Sequence, residues 1–173
     1  MNYATIKNCD IANGTGVRVS LFVSGCTHHC KGCFNAEAWD FNYGEPFTKE
    51  VENEILDMLK PDYIKGLSLL GGEPFEPQNM ACLVPFLEKY KKLYPQKNIW
   101  SYSGYTFEEM TEGKLSKDPN TAKMLGMIDI LVDGEFVEAK RNLMLKFRGS
   151  ENQRLLDVKE SLAQGKAVEA KKY

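Results

Sequence analysis

Three cysteines, Cys26, Cys30 and Cys33, fall within eight residues of one another with the spacing C-x3-C-x2-C. Three thiolates on one short loop can hold three irons of a four-iron, four-sulfur (4Fe-4S) cluster, which leaves the fourth iron without a protein ligand. A metal centre that keeps an open position suits catalysis, whereas a fully ligated centre suits a structural role. The spacing therefore predicts a 4Fe-4S centre that can bind a small molecule and react with it.

The alternative for this segment is a structural zinc site, completed by His28, His29 or a distant cysteine. Structural zinc usually takes four ligands in a closed geometry, and the longer first spacing suits it less well. We therefore expect the two histidines to lie outside the ligand set, where a hydrogen bond near the cluster is one role open to them. Cys82 stands apart among apolar residues, and we expect it to pack as a small hydrophobic side chain.

A second candidate segment is the run Gly71-Gly72-Glu73-Pro74, which follows the short apolar stretch 67–70. Glycines let a backbone approach a ligand closely, and a proline fixes the path by which the chain leaves the turn. A carboxylate in such a turn can receive an ammonium group. An ordinary turn between a strand and a helix is the alternative interpretation.

The elements around these segments alternate between strands and helices. We predict strands at 17–23, 67–70, 99–102 and 128–132, and helices that begin at Thr48, Asn79 and Thr106 and within 122–127. This alternation predicts an α/β fold with a mostly parallel sheet. The chain is short for a closed eight-fold barrel, so we expect an open, partial TIM-like (β/α) barrel. Active sites of such sheets lie at the carboxyl ends of the strands, where the two candidate segments would meet.

The last part of the chain is predicted to contain a final strand at 143–147, followed by a helix capped by Ser150 and Gln153 that frays after Gly165. A length of 173 residues fits one domain, so we expect a single domain over 1–173 with a C-terminal helix or tail from about residue 151. Asp133, at a strand end, could bind a ribose hydroxyl or have a helix-capping or turn role. Arg18 could form an ion pair or face a partner.

Composition narrows the class of protein. The formal net charge is −2, which gives no bulk attraction to nucleic acid or to anionic membranes. There is no apolar run long enough to span a bilayer, and the first residues lack the pattern of a signal peptide. Five cysteines, three of them clustered, are typical of metal ligands in a reducing compartment rather than of a disulfide scaffold. We therefore expect a cytoplasmic protein that contacts neither nucleic acid nor membrane.

The two candidate segments together resemble the radical S-adenosylmethionine superfamily. Within it, the sequence is most similar to the subgroup that activates anaerobic ribonucleoside-triphosphate reductases, one kind of glycyl-radical-enzyme activase. Besides the cysteines and the glycine turn, the segments that carry this resemblance are 10–18, 21–26, 44–49, 77–79, 131–134 and 148–153.

The resemblance implies two cofactors, a 4Fe-4S cluster and S-adenosyl-L-methionine. It implies that Cys26, Cys30 and Cys33 are the metal ligands, and that no catalytic side chain is needed beyond the cluster. By the same resemblance, the backbone of Gly72 and the carboxylate of Glu73 bind the methionyl amino group. Gly32, Cys33 and Phe34 would contact the adenine side.

The implied function is that of an oxidoreductase. Reductive cleavage of S-adenosylmethionine would give a 5′-deoxyadenosyl radical, which would form a glycyl radical on the large subunit of an anaerobic ribonucleotide reductase. The implied electron donor is flavodoxin-like. Two alternatives remain open at this point: activation of another target, such as a formate-lyase-type glycyl-radical enzyme or a small molecule, and a zinc-binding module without catalysis.

Overall fold

Seven strands form one sheet in the computed structural model, which describes residues 1–171. In chain order the strands are β1 (Asn2–Asp10), β2 (Val17–Val23), β3 (Glu45–Pro46), β4 (Ile64–Gly71), β5 (Asn98–Tyr102), β6 (Ile130–Asp133) and β7 (Arg154–Asp157). Their order across the sheet is β3-β1-β2-β4-β5-β6-β7. The four central strands β2, β4, β5 and β6 run parallel, and the outer strands pair antiparallel to them or to each other.

The end strands β3 and β7 are not neighbours in the sheet order, so the sheet is open. The predicted α/β class with a parallel centre is confirmed, and the curvature of a partial barrel stays a prediction. The sequence interpretation did not include β1, a strand whose residues are mostly half-buried or exposed and therefore lack a strong apolar pattern.

Five α-helices accompany the sheet over the described residues. They are α1 (Lys49–Met58), α2 (Pro77–Leu93), α3 (Phe107–Thr111), α4 (Pro119–Met127) and α5 (Val158–Gln164). The predicted starts of α1 and α3 are confirmed, since Thr48 accepts a hydrogen bond from the Val51 amide and Thr106 with Glu109 forms a capping box. None of the helices in residues 1–171 is both long and apolar enough to cross a bilayer.

The two faces of the sheet differ because successive side chains of a strand point to opposite sides. On one face, Leu21 of β2 and Leu69 of β4 join side chains of α1, α2 and α4 in the main hydrophobic core. On the other face, Arg18 is fully buried and donates to Ser68 Oγ at 2.7 Å and to Asn98 Oδ1 at 2.7 Å. Arg18 therefore ties β2, β4 and β5 together from within the protein.

Helix α2 begins earlier than predicted. Its first residue is Pro77 and its N-cap is Glu76, so the prediction that Asn79 caps this helix is wrong. Proline suits the first turn, since its missing amide hydrogen has no partner there in any case. Asn79 is fully buried within α2, where its amide group serves the site described below.

The prediction of a strand at 143–147 is also wrong. These residues form turns and bends, and Leu143 is 79% exposed. The edge of β6 is occupied instead by β7, the short strand Arg154–Asp157, so it is not open to a strand from 143–147. The apolar residues of 143–147 are thus presented at the surface and to a cavity.

The predicted cap of the terminal helix is wrong as well. Helix α5 is capped by Asp157, whose side chain accepts from the Glu160 amide at 3.0 Å. Gln153 accepts instead from the Gly149 amide at 2.8 Å and closes a loop. After α5 ends at Gln164, with Gly165 as its C-cap, the chain does not fray at once, because the Ala170 amide donates to Leu155 O of β7 at 2.8 Å. Residues 172 and 173 of the predicted tail lie outside the described residues.

Candidate active site

A cavity of about 690 Å³ opens at the carboxyl ends of the central strands. Cys26, Cys30 and Cys33 line it together with the glycine turn 71–73 and the β5 end 103–104. Residues of the segment 142–149 also line it. The volume lies within the range of small-molecule sites, about 300–1,000 Å³. The fold thus brings together the two segments that the sequence interpretation had placed at one edge of the sheet.

The cysteine loop leaves β2 at the rim of this cavity. Its first residues are fixed by the backbone, since the Gly25 amide donates to Ala38 O at 2.8 Å and the Cys26 amide to Trp39 O at 3.1 Å. The Cys33 amide turns back to Cys30 O at 3.1 Å. All three thiols are free, with Cys26 buried and the other two half-buried. They therefore present unpaired sulfur ligands to the cavity.

The protonation of these thiols is set mainly by burial. Burial raises the pKa of the Cys26 thiol to about 12, and the nearby carboxylates of Glu73 and Glu76 add to the shift. Burial likewise raises the pKa of Cys30. A thiolate is the form that binds metal, so the positive charge of a bound centre would have to displace these protons.

The arrangement suits a cluster better than a single ion. Within residues 1–171, no group of three His, Cys, Asp or Glu side chains surrounds one position for a metal ion. Structural zinc needs all its ligand atoms within about 2.3 Å of one centre, whereas a 4Fe-4S cluster offers each thiolate an iron of its own. Three free thiols on the wall of a roomy cavity therefore fit the cluster that the spacing predicts.

The glycine turn contacts the cysteine loop through its backbone. The Gly72 amide donates to Val23 O at 2.7 Å, and the Glu73 amide to Gly25 O at 2.8 Å. A Cβ atom on Gly72 would lie 2.5 Å from Gly25 O and 2.8 Å from Ala38 O, so only glycine fits there. The turn and the loop thus form one backbone unit on the cavity wall.

The Glu73 carboxylate is buried, with 1% of its surface exposed. One oxygen accepts from the Phe75 amide at 2.8 Å and from Ser103 Oγ at 2.9 Å, and the other accepts from the Gly104 amide at 2.7 Å. Glu73 therefore joins the end of β4 to the end of β5. Its predicted contact with the amino group of S-adenosylmethionine stays a prediction, alongside this bracing role.

His28 lies between two carboxylates. Its Nδ1 is 2.7 Å from Glu135 Oε1 and its Nε2 is 3.3 Å from Glu73 Oε2. Burial lowers the pKa of His28, but the hydrogen bonds and charges of Glu73 and Glu135 outweigh burial and raise it to about 9. The absence of a side chain on Gly104 makes room for the ring, because a Cβ there would lie 2.6 Å from His28 Cδ2.

His29 takes a different position. Its ring stacks on Trp39 with centroids 4.7 Å apart. Its backbone adopts a positive φ of 52°, which turns the loop between the first two cysteines. Each histidine thus has a partner within the protein, and we expect neither to be a metal ligand.

Sequence reasoning missed two residues that hold the site together, Glu76 and Asn79. Glu76 is buried and accepts from both the Thr27 amide at 2.8 Å and Thr27 Oγ1 at 2.6 Å. Asn79 Nδ2 donates to Ser24 O at 3.0 Å and to Glu73 O at 2.9 Å. A signal was present, since Asn79 is a polar residue on the stripe that α2 buries.

The residues predicted to face adenine are divided between two positions. Cys33 and Phe34 line the cavity, and the Phe34 ring lies 5.2 Å from the Phe136 ring. Gly32 adopts a positive φ of 73°, and a Cβ atom there would lie 3.0 Å from Glu138 Oε1. Gly32 therefore shapes the loop beside Glu138, while Cys33 and Phe34 face the cavity.

Asp133 has a structural environment. It is fully buried and accepts from the Phe107 amide at 2.8 Å and from Arg154 Nε at 2.9 Å. Arg154 also binds Glu108 at 2.7 Å. Of the two roles that the sequence left open for Asp133, these contacts correspond to the turn and helix-start role.

The sequence is similar to one family model and to proteins that share one name. A family model described as a 4Fe-4S single cluster domain matches residues 12–156. A protein of Pasteurella multocida is 44% identical over 155 residues, which cover 88% of this chain and 95% of that protein. Similar proteins of Escherichia coli K12 (39% over 155 residues, 88% and 96%) and of phage T4 (40% over 157 residues, 90% and 93%) carry the same name. That name is anaerobic ribonucleoside-triphosphate reductase-activating protein.

Proposed function

The chain belongs to the family of anaerobic ribonucleoside-triphosphate reductase-activating proteins with a 4Fe-4S single cluster domain, and on that basis we propose that it activates such a reductase. The observation that carries the proposal is the shared cavity wall. Three free thiols and a glycine turn, far apart in sequence, lie together at the carboxyl ends of parallel strands. This is the position at which parallel α/β sheets carry out chemistry.

The chain's own residues would hold and orient the reactants. Cys26, Cys30 and Cys33 would bind the cluster, and Cys33 with Phe34 and Gly72 would line the space for S-adenosylmethionine. When bound, the reduced cluster would supply one electron for cleavage of the sulfonium into methionine and a 5′-deoxyadenosyl radical, and that radical would take a hydrogen atom from a glycine of the reductase. The protein's contribution is orientation, because the cofactors carry the difficult chemistry.

Glu73 has a double role in this proposal. Its hydrogen bonds to Ser103 and Gly104 fix the wall that the methionyl end would meet, and its charge favours an ammonium group near the turn. Gly32 would contact the adenine side together with Cys33 and Phe34, as the family resemblance implies, and it also shapes the loop. Because the Gly32 backbone adopts a positive φ of 73°, a side chain there would strain the path from Cys30 to Cys33.

Several finer features belong to the same proposal. The electron donor is a one-electron carrier of the flavodoxin type, and the target is the large reductase subunit. The clustered free thiols are suited to the reducing conditions of the cytoplasm. One sheet runs from residue 2 to residue 157, which supports a single domain, and a curved open sheet of the partial-barrel kind would place the cavity on its inner face.

The test is anaerobic incubation of the iron-loaded protein with S-adenosylmethionine, a reductant and the reductase. We expect release of 5′-deoxyadenosine and a glycyl radical signal in electron paramagnetic resonance. If 5′-deoxyadenosine is released and the glycyl radical signal appears on a formate-lyase-type enzyme but not on the reductase, the alternative target is favoured. Protein that binds zinc in place of iron and releases no 5′-deoxyadenosine would refute the proposal.

A further inference from the structure

The cavity is bordered by a loop that no role has yet explained, which we call the rim loop (residues 140–150). Leu143 is 79% exposed and Met144 is 89% exposed, and they are the two most exposed large apolar side chains of the described residues. Leu143 also lines the same cavity as the three cysteines. Neighbouring exposed apolar side chains beside a cavity are a candidate surface for contact with a partner.

The rim loop is a built structure. Its neck is closed by hydrogen bonds from the Asn142 amide to Gly149 O at 3.2 Å and from the Glu151 amide to Lys140 O at 2.9 Å. At its base, the Phe147 ring packs edge-on against Trp100 with centroids 5.2 Å apart. The exposed pair is therefore presented by an anchored loop, so less conformational entropy would be lost when a partner covers it.

The charge of the rim loop has one sign. Residues 140–150 contain four basic side chains and no acidic one, although the whole chain has a formal net charge of −2. The basic residues are Lys140, Arg141, Lys146 and Arg148. Beside the loop, Glu138 is paired with Lys31 at 3.1 Å, whereas Glu151 accepts from the neutral Asn142 amide at 3.0 Å and keeps its negative charge. The loop thus exposes two apolar side chains together with the basic Lys140, Arg141 and Lys146, while Arg148 is half-buried and lines the cavity.

We propose that the rim loop is the docking surface for the reductase, and that it receives an acidic segment with apolar side chains next to the glycine to be activated. The proposal rests on the proposed function, because the partner must bring a glycine into the cavity that this loop borders. Charge complementarity selects an acidic partner, and burial of Met144 would hold it in place.

The test variant combines Met144→Asp with Lys146→Glu, two residues that do not line the cavity. The matched control combines Leu93→Asp with Lys92→Glu, which changes the charge equally. Leu93 is 53% exposed and is the last residue of α2, at the end of the sheet opposite the cavity. Binding to the reductase is measured by titration calorimetry, and cleavage of S-adenosylmethionine is measured separately without reductase.

We expect the test variant to bind the reductase at least about tenfold more weakly, with a smaller dependence on salt, because a positive charge and an apolar contact are both lost. The control should bind as the wild type does. Cleavage without reductase should stay within about twofold in both variants, since none of the four substituted side chains lines the cavity. Unchanged reductase binding by the test variant would overturn the proposal.

Two other occupants are outcomes of the same test. If the wild type is a dimer in size-exclusion chromatography and the test variant is a monomer that binds reductase normally, the rim loop is a contact between copies. If only co-sedimentation with phosphatidylglycerol vesicles is lost, the surface binds lipid. Both results refute reductase docking. Failure of the wild type to cleave S-adenosylmethionine would instead refute the proposed function, and the binding titration would still decide the docking.

Discussion

Replacement of Glu73 by glutamine tests whether this residue braces the site or mainly binds the ligand. The carboxylate accepts hydrogen bonds from Phe75, Ser103 and Gly104 and also pairs with His28 at 3.3 Å, in a place with 1% exposure. In Glu73→Gln the oxygen can serve Phe75 and Ser103, but the new amide group faces the Gly104 amide, another donor. One buried donor is then left without an acceptor.

The expected cost follows from these contacts. An unsatisfied buried donor costs about 1–3 kcal/mol, and each of the two retained hydrogen bonds loses about 1 kcal/mol when its acceptor becomes neutral. We therefore expect Glu73→Gln to lower the free energy of unfolding by about 3–5 kcal/mol. A domain of ordinary stability, about 5–15 kcal/mol, would still fold in the cold.

The assay is urea denaturation of the reduced, cluster-free chain under argon, followed by tryptophan fluorescence. Glu88→Gln, an exposed residue of α2, is the matched control and should change the free energy of unfolding by less than about 0.5 kcal/mol. If Glu73→Gln lowers the free energy of unfolding by less than about 1 kcal/mol and raises the KM for S-adenosylmethionine, Glu73 mainly binds the ligand and contributes little to stability.

Further predictions concern the thiols, the turn and an ion pair. Replacement by alanine of Cys26, Cys30 or Cys33 should remove bound iron and abolish cleavage of S-adenosylmethionine. Iron analysis and release of 5′-deoxyadenosine measure the two effects. Cys82→Ala should keep both properties, because Cys82 lies outside the cavity. Gly72→Ala should lower the free energy of unfolding by about 1–3 kcal/mol, since its methyl group would meet Gly25 O, and thermal melting checks this. The hydrogen bond from Arg154 lowers the pKa of Glu108 below its ordinary value of 4.5. The ionised Glu108 therefore stabilises the folded protein above pH 4.5, and this stabilisation is lost as the pH falls through the lowered pKa. In Glu108→Gln, the free energy of unfolding should therefore fall less steeply with acid pH than in the wild type. The difference should be less than about 1 kcal/mol, because the pair of Arg154 and Glu108 is partly exposed.

Each of these expectations can fail in a distinct way. Full iron content after loss of Cys30 would mean that another residue supplies the ligand. Normal melting of Gly72→Ala would mean that the turn can move away from Gly25. A steeper acid limb in Glu108→Gln would mean that Glu108 is destabilising in the folded protein, contrary to its contact with Arg154.

The chemistry-bearing segments were predictable because they are local. The spacing of Cys26, Cys30 and Cys33 lies within one loop, and Thr106 with Glu109 forms a cap within one turn. The alternation of strands and helices likewise depends on short-range patterns, so the α/β class and the shared edge of the sheet followed from the sequence. The position of the cavity at that edge is confirmed.

The features that the sequence did not predict depend on distant contacts. Asn79 resembles a helix cap by type, but its amide group is drawn inward by Ser24 O and Glu73 O, which come from other parts of the chain. The segment 143–147 alternates like a strand, yet the four-residue strand β7 occupies the neighbouring edge of β6. Propensity cannot decide between two candidate strands when only one edge is available.

Hydrogen bonds set the path of the cysteine loop. The amides of Gly25 and Cys26 donate to the carbonyls of residues 38–39, and Glu76 accepts from the amide and the hydroxyl of Thr27. None of these contacts includes a sulfur atom. Oxygen destroys exposed iron–sulfur centres, and a polypeptide that needed the inorganic core to take its shape would collapse with it. Because these contacts hold the loop, we expect the chain to keep its fold when the cluster is lost, so that iron and sulfide restore activity without refolding.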